Sequence, residues 1–411
     1  MSKKEIPNQK SECARQENAT GEQQVNLSLD DMLKADGPHR LIIKAHLQPV
    51  GYNPATGECA RFQPAGFPEV GHVIYDAPTA TGAEKVCIID SAASMANHLE
   101  KVMWDDTTCQ LHLDLNGLPY VRCVTDSKWK QDGEKIEVLL ESQPNQLVLT
   151  TLTEPHRLAS EYFMKARWEW ENDKPKKDSK TGKEILKDEF GIVETKKGKE
   201  TRTFSPPTNR VKILKTIFKY DPNSLIHGIF FPDFKDIKLS RILYALLEAK
   251  GAQRVPYSGV KFDPIGMTGS GQPIFQKDEE TAREITATFV IDLDLIRICG
   301  KGEEGLSDSE KKLLLGLALW KINKLLEKPW RYRTQCDLKK TTMEIEGMPG
   351  SLPEFDIDEL IRNCKWKEPT ARKVYLPATE LFKAKADKEG KASKEPKEGE
   401  KEEEGASGDS E

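Results

Sequence analysis

The chain has no Cys-x-x-Cys pair, although eight cysteines stand at 13, 59, 87, 109, 123, 299, 336 and 364. Cys109-x-x-His112 comes closest to metal-ligand spacing and has no second half, so no zinc site is expected. Long apolar runs are also missing. The longest, Leu313 to Trp320, is far too short to span a bilayer. Met1-Ser2-Lys3-Lys4 leads into polar residues, so no signal peptide is expected, and a cytoplasmic chain with reduced thiols follows. Gly266-x-x-Gly269-x-Gly271 lacks the Lys-Ser/Thr of a phosphate-binding loop and reads as a flexible loop. Ser91 and Ser258 lack the glycine-flanked strand-turn-helix elbow that exposes a nucleophile. Neither a metal nor a cofactor is expected.

A strong basic excess, the usual footprint of a nucleic-acid binder, is absent as well: the net charge is −5. The charge is unevenly placed. Residues 1–36 carry 5 basic and 7 acidic side chains, and residues 383–411 carry 7 Lys against 10 acids. Neither end holds enough apolar surface to offset the entropy of ordering, so both read as disordered tails around a single domain over 37–382. Setting them aside leaves a core of near-zero charge. Within it, residues 165–220 hold 16 Lys and Arg against 9 Asp and Glu. That excess is either a phosphate-facing patch or a solvated loop. The stretch near 172–205 is too polar for core and reads as a Lys-rich insertion.

What is present alternates irregularly between strand and helix signals. Leu41–Leu47, Lys85–Asp90, Tyr120–Val124, Lys135–Glu141, Gln146–Leu149, Leu225–Phe231 and Glu284–Leu293 read as strands. Asp90 or Ser91 caps a helix whose Ala92, Met95, Ala96, Leu99, Val102 and Met103 form one apolar face. Helical spacing also marks Glu154–Trp170. Ser240 to Gly251 reads as a further helix, and Arg210–Tyr220 as a helix or an exposed strand. Ser307-Asp308-Ser309-Glu310 is a capping box that opens the longest helix, ending at Lys328-Pro329. The pattern suits an α+β domain, with β-α-β-β-α-β one candidate core.

Few residues invite catalysis. His98 sits on a polar helix face and is a conceivable base or a plain surface residue. His227 lies in an apolar stretch, where a core role is expected. Asp292 and Asp294 flank Leu293 and would share one strand face; such a pair binds metal or is simply solvated. Arginine beside an aromatic ring recurs in Arg61-Phe62 and Arg331-Tyr332-Arg333. That pairing either grips phosphate and stacks on a base or anchors a loop. In an extended segment Arg331 and Arg333 would share one face, with Tyr332 on the other.

Six blocks give the strongest signal. They are Arg61–Pro68, Asp90-Ser91 with Asn97–Glu100, Asp221–Gly228, Ser240–Gly251, Ser258–Asp263 and Arg331–Leu338. In this order they resemble the backbone subunit of a type I-G (formerly I-U) CRISPR interference complex, in the Cas-seven superfamily, from about Leu41 to about Leu338. The resemblance implies an RRM-like (ferredoxin-like) core with large insertions, no enzymatic activity, and a Cascade-like role. Several copies would line one crRNA and present it for pairing with target DNA in antiviral defence. It implies as partners copies of this chain, a fused Cas-five/Cas-six-type subunit, a large subunit and a helicase-nuclease, with no membrane. Each matching block carries a donor, and on that analogy Arg61, Gln63, Asn97, Arg241, Lys261, Arg331 and Arg333 are the expected RNA contacts. His98 stands where many relatives carry Arg. Two other readings remain: a CRISPR-associated ribonuclease for guide processing or target cleavage, using His98 or Asp292/Asp294, and a scaffold that touches protein alone.

Overall fold

The computed structural model describes residues 27–52, 61–67, 71–172, 174–176, 178–192, 208–234, 237–257, 277–300, 305–346, 352–366 and 369–382. The first element, α1 (Leu29–Leu33), opens on a capping box between Ser28 and Asp31. Met32 is fully buried, and Arg297 donates to the carbonyls of Met32 and Pro38 at 2.6 and 2.7 Å. This turn falls inside the 1–36 stretch expected to be disordered. Leu29 and Met32 stand three apart on one helix face and find partners across the fold, which composition alone does not reveal.

Strand β1 (Arg40–Pro49) buries Leu41, Ile43, Ala45 and Leu47 and turns the alternate residues outward. Strands β2 (Ile74–Thr79) and β3 (Gly82–Asp90) form a hairpin, and β3 runs into α2 (Ala92–Lys101). Ser91 is the N-cap, accepting from the Ser94 amide. Strands β4 (Tyr120–Asp126) and β5 (Pro144–Thr150) pair antiparallel. Over Glu154–Trp170 the long helix expected is only a 3-10 turn, Arg157–Ala159, and a short helix, Glu161–Lys165.

The Lys-rich insertion is partly core. Its helix α3 (Gly182–Phe190) has a Thr181–Glu184 capping box and buries Leu186 and Phe190, the latter edge-on to Phe231 and Phe234. Two apolar side chains four apart suffice to dock an otherwise charged helix. The segment at 210–220 takes the helical alternative as α4 (Thr208–Tyr220). The strand expected at Leu225–Phe231 is instead α5 (Pro222–His227) followed by the two-residue strand Ile229–Phe230. Asp221 is its N-cap and Pro222 occupies the first turn, a start signal that outweighs the β-branched run.

The helix expected after Ser240 is a strand, β6 (Leu243–Lys250). Its residues favour helix locally, but Leu243, Ala245, Leu247 and Ala249 alternate into the core, and strands on both sides take its backbone groups. Hairpin β7 (Gln253–Tyr257) and β8 (Lys277–Thr281) follows. Strand β9 (Glu284–Asp292) leads into α6 (Leu293–Arg297). Asp292 and Asp294 therefore do not share a strand face. Asp292 caps α6 and pairs with Arg40, while Asp294 lies within the helix, bonded to His39 and Arg297. Helix α7 (Asp308–Glu327) keeps its capping box and ends before Pro329. Hairpin β10 (Trp330–Arg333) and β11 (Cys336–Ile345), helix α8 (Ile357–Asn363) and strand β12 (Ala371–Tyr375) complete the chain.

The architecture is α+β. Seven antiparallel strands form the main sheet in the order β10-β11-β1-β9-β6-β3-β2. Helix α7 is apolar nearly all round because it is enclosed, touching α1, α2, α5, α6, α8 and strands β9 and β11. A second sheet, β5-β4-β12, contains the parallel pair β4–β12. Among the described residues no helix is long and apolar enough to cross a membrane.

Candidate nucleic-acid interface

The main sheet curls until β10 meets the end of β3, five places away in the strand order. Asp90, the last residue of β3, has no exposed surface and accepts from Arg333 at 2.9 Å and from His98 Nε2 at 2.9 Å. His98 Nδ1 accepts from the Trp330 indole at 3.2 Å. The tautomer with its proton on Nε2 satisfies both bonds, so neither ring nitrogen of His98 is left for proton transfer. The Tyr332 ring stands edge-on to His98, 5.2 Å between centroids. Burial would raise the Asp90 carboxyl, but hydrogen bonds from His98, Ser94 and Arg333 outweigh it and hold the group below its ordinary range.

A strap of chain spans this seam. Phe62, fully buried, exchanges both backbone hydrogen bonds with Glu280 of β8. The Gln63 amide donates to the Gln335 carbonyl at the β10–β11 turn, and the Ala65 amide to Ile89 of β3. Arg61 meets Glu279 at 3.3 Å and lines an open cleft of about 570 Å³ with Pro49, Pro329, Gln335 and Asp337. Arg331 bonds Asp337 at 3.0 Å on the outer side of β10, while Tyr332 turns inward and is buried.

Four of the expected contact residues thus gather at one place: Arg61, Gln63, Arg331 and Arg333. Asn97 is exposed on α2, one residue before His98. Arg241 is exposed and donates to the Ala92 carbonyl at the start of α2, at 3.1 Å. Lys261 lies outside the described residues, as does the Gly266–Gly271 run.

Other candidates lie on β1, β9 and β6, the last of which the sequence presents as a helix. Their alternate residues form the other face of the sheet, partly covered, with Lys44 opposite Thr288 and Thr288 opposite Leu246. In the next row Ile42 faces Val290, and Val290 faces the exposed Tyr244. The period of two would have revealed this face had β6 been read as a strand.

The Asp221–Gly228 block does something else. It builds a polar cluster closed to solvent. Arg157 grips both Glu100 oxygens at 2.6 and 2.8 Å, and Asn223 donates to Glu100 at 2.7 Å. Lys321 of α7 donates to the Asn223 side-chain oxygen and to His227 Nε2. Burial, with the positive charges of Lys321, Arg157 and Arg241, keeps His227 neutral, well below its usual pKa. Burial pushes Lys321 down to about 7 and Asp221 up to about 6. Gly228 has φ 75°, and a Cβ there would stand 2.8 Å from the Leu239 carbonyl oxygen, so the block needs glycine where it ends. Among the described residues no three His, Cys, Asp or Glu side chains are grouped to hold a metal ion.

The family model described as CRISPR-associated protein GSU0053 matches residues 41–254. No curated protein matches the chain in sequence. Among solved structures, one chain of "CRISPR RNA-guided surveillance complex, pre-nicking" aligns over 85% of this chain and 99% of its own length. The identity is 11% and the TM-score 0.29, too low to bear on the fold.

Proposed function

The chain belongs to the family described as CRISPR-associated protein GSU0053, and from that membership we propose that it is the crRNA-binding backbone subunit of a type I-G, Cascade-like complex. On this reading it is a Cas-seven superfamily protein with an RRM-like core. The central antiparallel strands, with α2 against β6 and α7 against β9 and β11, supply the layering such a core needs.

The observation that carries the reading is the seam. Two blocks about 270 residues apart in sequence supply Arg61, Gln63, Arg331 and Arg333 to one surface, with Asn97 and Arg241 on and beside the helix next to it. A subunit that holds many different guides must grip phosphate and leave base edges free to pair with target DNA. Arginines held beside a rigid strap, whose amides bond Glu280, Gln335 and Ile89, meet that need. Arg331, whose one ion-pair partner among the described residues is the half-exposed Asp337, can exchange that partner for phosphate at little cost. Arg333 is a positioning residue, since its bond to buried Asp90 holds β10 against β3.

We assign the subunit no chemical step and no cofactor. Copies would repeat head-to-tail along one guide, which requires two complementary surfaces on each. The other partners are a fused Cas-five/Cas-six-type subunit, a large subunit and the recruited helicase-nuclease. The test is affinity for several guide RNAs of unrelated spacer sequence at two salt concentrations. Binding should fall steeply with salt and be the same for every spacer. A strong preference among spacers, or magnesium-dependent cleavage lost in His98→Ala, would overturn the proposal.

A further inference from the structure

A second cleft, of about 570 Å³, opens between α4, the segment that follows α8 and the start of β12. It shares no lining residue with the seam. Its size suits a small planar ligand, within the range of about 300–1,000 Å³ usual for binding pockets. Several of its groups are already committed. Lys215 donates to the Gly305 carbonyl at 3.1 Å, Lys219 to Glu189 at 2.8 Å, and Glu310 accepts in the α7 capping box.

Three groups are not. Arg372 has no carboxylate within ion-pair distance among the described residues; its guanidinium lies 4.8 Å from the Tyr220 ring centroid and 5.9 Å from that of Trp168. Lys365, exposed on the rim, also has no carboxylate partner among the described residues. Trp366 stacks one face on Phe218, with centroids 4.9 Å apart and planes at 26°, and its indole N–H is buried with no acceptor among the described residues. Two cations with no carboxylate partner among the described residues and an aromatic plate within one cleft call for a ligand that is anionic and flat.

We propose that this cleft binds one nucleotide unit of a single-stranded nucleic acid, its base against Trp366 and its phosphate between Lys365 and Arg372. Aromatic plates beside cations are how single strands are held, because every base has a stackable face. A duplex does not fit, since its base faces are covered by their neighbours. The inference rests on the reading that the protein handles nucleic acid, but it uses none of the seam residues. The strand has two possible sources, a stretch of guide RNA or a DNA strand displaced by pairing.

The experiment uses the full chain and fluorescent octathymidylate and octauridylate at low salt, about 50 mM. Trp366→Ala should weaken binding by roughly 5- to 150-fold, the effect of losing one stacked base, and Trp366→Phe should restore most of it. Lys365→Glu, an exposed change that leaves folding intact, should also weaken binding. Both assays are repeated on guide-loaded protein. Loss of oligonucleotide binding on loading identifies the guide as the occupant; retained octathymidylate binding identifies the displaced strand. Unchanged affinity in both Trp366→Ala and Lys365→Glu would overturn the proposal, as would displacement of octathymidylate by polyglutamate of equal charge. If guide RNA binds and loses affinity in Arg331→Ala while neither oligonucleotide binds, the cleft proposal fails alone and the seam reading stands.

Discussion

Replacing Lys321 with methionine should flatten the pH dependence of stability in a defined window. Lys321 has no exposed surface, and burial lowers its ammonium group from 10.5 to about 7, while Glu100 pulls the other way. Unfolding returns it to about 10.4. Between those values the unfolded chain binds a proton that the folded chain does not, so stability rises with pH from about 7 to 10. Below that window the cost of burying the charge is fully present. It amounts to about 4 kcal/mol at pH 7, and the folded state recovers about 1.5–2 kcal/mol of it by pH 8.5. Methionine has a similar unbranched shape and no charge to lose. The thiols of Cys87, Cys123, Cys336 and Cys364, pushed up to about 12 by burial, act in the opposite sense above about pH 8.5. They are common to both proteins and cancel in the difference. Urea unfolding of wild type and Lys321→Met, followed by circular dichroism at several points from about pH 7 to 8.5, gives that difference directly. Wild type should gain on the variant by about 1.5–2 kcal/mol across the window. Parallel profiles would mean that Lys321 keeps its normal pKa when buried, and the reasoning would fail.

Three other changes test the seam and the packing. Arg331→Ala should leave the melting temperature unchanged, because an exposed pair is worth about 0–1 kcal/mol; it should weaken guide binding and reduce the salt slope by about 0.7. Arg333→Ala should instead lower stability by about 1.5–3 kcal/mol, because buried Asp90 loses one of its donors; an unchanged melting temperature would show that the seam does not depend on it. Gly228→Ala should lower stability by about 1–3 kcal/mol in thermal unfolding, since its φ of 75° is left-handed and its Cβ would stand 2.8 Å from the Leu239 carbonyl oxygen.

Elements with their own start and stop signals were legible in the sequence. Helix α2, capped by Ser91, and α7, from its capping box to Pro329, stand where spacing puts them. Strands β1 and β9 show their alternation openly. The helix at 222–227, expected as a strand, has a local cause in its Asp221–Pro222 start signal; elsewhere the deciding partner is distant in sequence. Residues 243–250 form a strand because β9 and β3 flank them. Leu186 and Phe190 are core because Phe231 and Phe234 receive the helix. At the seam, the sequence makes Arg331 and Arg333 equivalent neighbours on one strand face. Their partners separate them, since Asp337 is six residues from Arg331 and Asp90 is 243 from Arg333. The partner of His98 Nδ1, Trp330, is likewise 232 residues away.

The place of β1 in the main sheet has a consequence for synthesis. Its neighbours are β9 and β11, both encoded late in the chain. About 235 residues separate Pro49 at the end of β1 from Glu284 at the start of β9. At about 5–20 residues per second, the ribosome takes roughly 12–50 s to make the first strand that can pair with β1. Through that interval Leu41, Ile43 and Leu47 have no native cover, and both backbone edges of β1 are open to pairing with other nascent chains. Yield in a cell should therefore track the supply of chaperones that hold extended apolar segments, and slower translation should lower it.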